Sequence, residues 1–274
     1  MSNLTLMLRD LIEYVSNPFP WHLAPMGYVR EVRMTGHRAR EIGGAWDSHL
    51  EHTRKAVIQS AELCQNPKRV VVVGAGNLLD VPLDVLTDRF DEVVLLDIFH
   101  ARDTRRRVQQ MSNVTLIDAD VTGVARAVFD AARRQGVRSL PTSAPPVLDV
   151  GPIDLIVSVN LLSQLAVIPS SFLQGHCPGI APEKLSAFAR NLIETHLAWL
   201  SQTADQVCLV TDTVRIEQFS QGPETRKNIV EEVTLPRPDH VWDWQIAPMG
   251  SIYPDRDVYH EVQAYLNYRP SVRI

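Results

Sequence analysis

The sequence predicts an α/β protein: a doubly wound, mostly parallel seven-stranded sheet with a C-terminal antiparallel hairpin and an N-terminal helical extension. Three observations carry this. From Arg69 onward, short β-branched runs alternate with helical stretches, the texture of βα units on a parallel sheet. Near the end, the β-like runs Val241 to Ile246 and Val258 to Tyr265 are joined by a link containing Pro and Gly that is too short for a crossover helix, so they pair antiparallel. Before Arg69, apolar residues recur at helical spacing.

The elements follow in order. Leu4, Met7, Leu8, Leu11, Ile12 and Val15 mark a first helix that Asn17-Pro18 halts. Trp21 to Arg40 is rich in Arg and aromatics and has no assignable structure. A second helix runs from Ile42 through Trp46, Leu50, Val57 and Ala61 to Cys64, and Asn66-Pro67 stops it. Five strands are expected at Val70 to Val73, Glu92 to Leu96, Val114 to Ile117, Asp154 to Val159 and Gln206 to Thr211. Thr142 to Pro152 is too proline-rich for a helix or central strand and must be a loop. The expected division is a helical extension over 1–66 and a sheet domain over 67–274.

Composition narrows the function. The chain has 274 residues, 45% hydrophobic and 22% charged, enough to bury a full core. Lys and Arg total 27 against 32 for Asp and Glu, a formal charge of −5 without a basic block, which disfavours nucleic-acid and membrane-surface binding. No apolar run nears the roughly 20 residues of a membrane span. The N-terminus lacks the basic start and small-residue cleavage site of a secretion signal. Cys64, Cys177 and Cys208 lie far apart, without the pair spacing of a zinc or redox site. A cytoplasmic location is expected, and no metal.

The segment RVVVVGAG, Arg69 to Gly76, carries the chemistry: a buried strand delivers a glycine turn where backbone N–H groups can approach a ligand. Asp97 ends the next strand, EVVLLD, 21 residues after Gly76. That is close to the roughly 20 expected for a carboxylate that accepts from ribose hydroxyls. The bland alternatives are an ordinary tight turn and an Asp97 that caps the following helix. A pyrophosphate-binding turn wants Gly or Ala three positions after Gly76, where Leu79 stands. Pro82, with Asp80 as a possible cap, puts the helix start near Val81, so the turn is longer than a pyrophosphate clamp. A methionine carboxylate can still be drawn to that helix end.

From Arg69 to Tyr268 the chain resembles the class I S-adenosylmethionine-dependent methyltransferases, which have a Rossmann-like fold whose last strand inserts antiparallel. The matching pieces are VVVGAGN, EVVLLD, NVTLIDADV and IDLIVSVNLLSQL. The resemblance implies that Gly74, Ala75 and Gly76, with Asn77 beside them, line the methionine portion of S-adenosylmethionine. It assigns Asp97, with neighbouring Ile98, to the ribose, and Asp120 with the Val121 backbone to the adenine, Asp118 competing for that role. Asn160 would stand near the methyl group, or cap the helix that follows. Asp212, at the expected end of the fifth strand, faces the same ambiguity. The chain departs from the pattern at Val72, where the family often has an acid, and at Leu78, where it often has a further glycine.

Methyl transfer needs in-line placement more than acid or base groups. The acceptor would be covered by the N-terminal region, by a loop over Pro169 to Pro182 acting as a lid, and by the final hairpin link. Tyr28, Arg30, Arg33 and His176 are acceptor candidates, with a solvated helix face as the alternative for the arginines. Arg38, Arg40, His49 and His52 are weaker ones. Trp242 and Trp244 share one strand face and could form a wall with Tyr253, or simply pack in the core. The leading expectation is methyl transfer to a small-molecule acceptor. The alternatives are a non-catalytic adenosine-ligand-binding or partner-binding protein on the same fold and, behind it, an NAD-dependent oxidoreductase.

Overall fold

The computed structural model describes residues 18–134 and 139–270, so the helix expected over Leu4 to Val15 lies outside the described residues. Eight strands form one sheet: β1 (Arg69–Val73), β2 (Glu92–Asp97), β3 (Val114–Asp118), β4 (Leu155–Val159), β5 (Gln206–Phe219), β6 (Thr225–Asn228), β7 (His240–Ala247) and β8 (Arg256–Tyr265). Their order is β3-β2-β1-β4-β5-β8-β7, with β6 paired to β5 off that path. The first five are parallel, and β8 runs antiparallel to both β5 and β7. The expected hairpin is therefore present, with its second arm inserted beside β5.

Two corrections concern the fifth strand and the strand count. The sequence ends the fifth strand at Thr211, but β5 continues to Phe219. A register shift between Asp212 and Val214 absorbs the polar Asp212-Thr213 step, after which the ladder to β8 resumes. The extension also pairs with β6, an eighth strand whose four residues, TRKN, are all exposed.

The central strands β1, β2, β4 and the first part of β5 are buried on both faces, and strand alternation sorts their side chains. Val71 and Val73 of β1, Val94 and Leu96 of β2, and Val207 and Leu209 of β5 enter one core. Val70 and Val72, Val93 and Leu95, and Cys208 and Val210 enter the other. Among the described residues a short helical turn, Leu23–Met26, and seven longer helices complete the layers: α1 (Tyr28–Glu41), α2 (Asp47–Leu63), α3 (Leu83–Arg89), α4 (Arg102–Val108), α5 (Ala125–Arg133), α6 (Val167–His176) and α7 (Pro182–Thr203). α5, α6 and α7 cover the first face, α2 and α3 the second. The segment without assignable structure is largely α1, and 142–149 is irregular chain, as its prolines require. The loop expected over Pro169 to Pro182 is mostly α6, and its last residue opens α7. No helix among the described residues is long and apolar enough to cross a membrane.

α7 packs on β4 with a buried imidazole in the contact: His196 Nε2 lies 3.1 Å from Ser158 Oγ. Burial lowers the His196 pKa to about 3. A histidine held neutral in the fold but free to protonate when unfolded stabilises fully above its ordinary value, here 6.5, and progressively less as pH falls toward 3. Thermal melts are expected to fall through that window, and less steeply in His196→Gln. Parallel pH profiles for the two proteins would refute the assignment.

Candidate functional site

The strand order reverses between β1 and β4, where an open α/β sheet leaves a crevice at its carboxyl edge. Three chain segments converge there. After β1, Gly74 and Gly76 take φ of 76° and 48°, turning the backbone through the left-handed region that glycine enters without strain. Leu78 follows at φ 55°, so the position where the resemblance wants glycine keeps a left-handed backbone despite its side chain. After β2, Asp97 Oδ2 accepts from the Gly76 N–H at 2.7 Å and Oδ1 from the Ile98 N–H at 2.7 Å. Asp97 therefore ties the glycine turn to β2 and does not cap α4, which begins only at Arg102. Burial pushes its carboxyl above the ordinary value, against the opposing pull of His100 and the backbone N–H groups.

These groups line an inner chamber of about 220 Å³. Gly74, Gly76, Asn77, Asp97, Ile98, Asp120, Val121 and Asn160 are all in its wall, together with Tyr28 from α1. α1 is held over the turn by Asn77, whose Nδ2 donates to Val32 O at 2.9 Å. Burial, with Asp120 nearby, pushes the Tyr28 phenol up. Asp120 accepts from the Thr122 N–H, the Thr122 hydroxyl and the Ala125 N–H, closing the loop into α5. Its rival Asp118 does not line the chamber and is bound to His100 and Arg105.

An outer chamber of about 600 Å³ adjoins this one across Gly74, Gly76, Asn77 and Asn160, and Ala75 lies in its wall. Asn160 stands at the junction with a left-handed φ of 48°, which Asn tolerates better than most residues. Its Nδ2 donates to Asp80 Oδ2 at 2.7 Å and lies 3.0 Å from His49 Nε2. The helical turn after it has no side-chain cap, so the capping reading fails. Asp80 is likewise no cap: α3 starts at Leu83, two residues past Val81, directly after Pro82 and with no side-chain cap. Burial instead raises the Asp80 carboxyl, with the Asn160 hydrogen bond opposing.

His49 of α2 lies flat on Trp244, ring centroids 3.9 Å apart and planes within 7°. Its Nδ1 accepts from the Trp242 indole N–H at 3.1 Å. Burial holds His49 far down, with a pKa of about 3. Asp212 is buried inside β5, not at a strand end; Oδ2 is 2.6 Å from His260 Nδ1 and Oδ1 accepts from the Ser163 hydroxyl. Ser163 and His260, which the sequence does not mark, line this chamber, as do Trp46, read from sequence only as a helix position, and Asp80, read only as a possible cap. One signal for His260 existed: with Val258, Val262 and Ala264 it shares the alternate, inward positions of β8, where a polar residue is out of place.

The acceptor candidates divide. Tyr28 and His49 reach the chambers, and so does Arg38, paired with Glu31. Arg30, Arg33 and His176 line neither: Arg30 is exposed on α1, and His176 is exposed with its Nδ1 2.8 Å from Phe172 O. A lid over Pro169 to Pro182 is not what the chain forms; the start of α6, Val167 and Ile168, lines the wall instead. Trp244 is part of the wall, whereas Trp242 does not line it but donates to His49, and Tyr253 packs against Arg215 and Arg256.

The mostly parallel sheet with its last strand inserted antiparallel is what the class I methyltransferase resemblance implies, so the fold expectation holds. No family model matches the chain, and no curated protein matches it in sequence. Among solved structures it is similar to the N-methyltransferase NodS from Bradyrhizobium japonicum in complex with S-adenosylhomocysteine, at 10% identity over 78% of this chain and 86% of that one, TM-score 0.36. It is also similar to the 1,6-didemethyltoxoflavin-N1-methyltransferase of Burkholderia thailandensis, at 10% identity over 85% and 89% of the two chains, TM-score 0.35. Similarity to the Bacillus subtilis YcgJ protein, at 13% identity and TM-score 0.29, covers 60% of this chain and spans about half of that one, 51%.

Proposed function

We propose that the chain is an S-adenosylmethionine-dependent methyltransferase acting on a small-molecule acceptor. The observation that carries this reading is the Asp97 carboxylate, anchored to the Gly76 backbone and facing a chamber that opens at Gly74 and Asn160 onto a second, larger one. The backbone N–H groups of Gly76, Ile98 and Phe99 bond to Asp97, and of the roughly four lone-pair sites of a carboxylate this leaves room for a ribose hydroxyl. Gly74 and Gly76 would let backbone approach the methionine portion, Ile98 beside Asp97 would hold the ribose, and Asp120 with Val121 would hold the base. When bound, S-adenosylmethionine supplies an electrophilic methyl group. The residues at the junction set the line between that group and the acceptor, which is where positioning raises the rate. The outer volume of about 600 Å³ falls in the range of small-molecule sites.

The dinucleotide reading is disfavoured, because α3 starts only at Leu83 and the turn after Gly76 is thus longer than a pyrophosphate clamp. The left-handed Leu78 also weighs against a turn collapsed by its departures from the family pattern. Calorimetric titration with S-adenosylmethionine, S-adenosylhomocysteine and NAD is expected to show binding of the first two only. Absence of heat at millimolar S-adenosylhomocysteine overturns the reading, and NAD binding in its place moves the chain to the oxidoreductases. A methylated product in an acceptor screen separates the enzyme from a non-catalytic binder.

A further inference from the structure

Three buried polar atoms without a partner among the described residues belong to residues of the outer chamber: Asn160 Oδ1, Trp244 Nε1 and His260 Nε2. Unpaired buried polar atoms are costly to a fold and gather where a ligand supplies the missing partner. The same chamber is walled by aromatic rings. Trp46 and Trp244 meet edge to face with centroids 5.1 Å apart, and His49 extends the Trp244 plane by stacking.

Two imidazoles line this chamber, and their surroundings assign them different work. His49 already accepts the Trp242 indole N–H, faces Asn160 with its other nitrogen, and is held neutral to a pKa of about 3, so it is a poor proton acceptor. His260 has Nδ1 against Asp212, whose other oxygen is fixed by Ser163. A carboxylate on Nδ1 selects the tautomer that leaves Nε2 with its lone pair, and stabilises the ring once it gains a second proton.

We infer that the outer chamber takes a flat aromatic acceptor bearing an ionisable hydroxyl, and that His260, oriented by Asp212, is the base that receives its proton. This deepens the methyltransferase reading and rests on it. In the step, the acceptor oxygen bonds to the methyl carbon, the carbon–sulfur bond breaks with its electron pair left on sulfur, and the hydroxyl proton passes to His260 Nε2. Positive charge moves from the sulfonium to an imidazolium that Asp212 neutralises. The other ionisable groups around His260 are His49 from α2, neutral as described, and Arg215, its cross-strand partner on β5, which is paired with Glu217.

The test uses 4-nitrophenol, whose phenolate absorbs in the visible, titrated into the full chain with and without S-adenosylhomocysteine. Bound probe is expected to ionise at lower pH than free probe, by on the order of tenfold in its ionisation constant, because the proton passes to His260. His260→Gln and Asp212→Asn are each expected to abolish that shift with the melting curve and S-adenosylhomocysteine affinity retained; should the first variant fail to fold, the near-isosteric second carries the comparison. Failure of the wild-type chain to bind the probe, or an unchanged shift in a folded variant, overturns the assignment. Binding of S-adenosylhomocysteine without a probe response sinks this inference alone. A probe response without S-adenosylhomocysteine binding sinks the cofactor reading and leaves the acceptor chamber standing.

Discussion

Asp97→Ala is expected to weaken S-adenosylhomocysteine binding by roughly 10- to 100-fold. A hydrogen bond to a charged acceptor is worth about 1.5–3 kcal/mol, and the Gly76, Ile98 and Phe99 N–H groups leave this carboxylate room for one from the ribose. At about 1.4 kcal/mol per decade of affinity, losing it costs about one to two decades. The substitution also strips the acceptor from the Gly76 and Ile98 N–H groups, so the glycine turn loosens along with the sugar contact. Asp97→Asn keeps one acceptor oxygen and should fall between the two. Calorimetry of the three proteins gives the order, and an alanine variant that binds like the wild type removes Asp97 from the site.

Gly123→Ala should cost about 3 kcal/mol or more of folding stability, the range for an over-determined backbone forced into strain and overlap. Gly123 has φ +66°, and a Cβ there would lie 2.0 Å from the Ala144 carbonyl oxygen. That oxygen belongs to backbone, not to a side chain that can swing away. The Ala144 N–H and the Ser143 hydroxyl both donate to Thr122 O, so the 142–144 segment is fastened to the very turn that would have to move. Val121 and Asp120 in the inner chamber wall are part of that turn. Urea denaturation should show the loss, and S-adenosylhomocysteine affinity should fall in parallel. A variant as stable as the parent would mean that the turn and the proline-rich segment separate freely.

What the sequence reveals depends on how local each signal is. β1, β2 and β4 are continuous β-branched runs because both faces of the sheet are covered, and their edges are readable from the next glycine or aspartate. The glycine turn and Asp97 are readable for the same reason: the spacing between them is fixed by one βα unit. α1 is harder to see, since only Tyr28, Val29 and Val32 face the core along a helix otherwise full of arginine. β6 carries no hydrophobic pattern at all, because an exposed edge strand has no face to bury. The Ser163–Asp212–His260 group draws on three elements separated by 48 or 49 residues at each link, a proximity that no local pattern encodes. Asp212 is visible as a carboxylate near a strand end, but its meaning depends on a bulge and on an antiparallel neighbour contributed by the end of the hairpin.

That neighbour has a consequence for how the molecule is made. β8 is last in the chain among the strands, yet it sits between β5 and β7 and joins both through backbone ladders. Until Arg256 to Tyr265 has emerged from the ribosome, β5 presents a long unpaired edge, and buried Asp212 has no imidazole beside it. Nascent or C-terminally clipped molecules are thus sticky along one sheet margin and open to pairing with one another. Completion of the sheet and assembly of the Asp212–His260 pair become a single closing event.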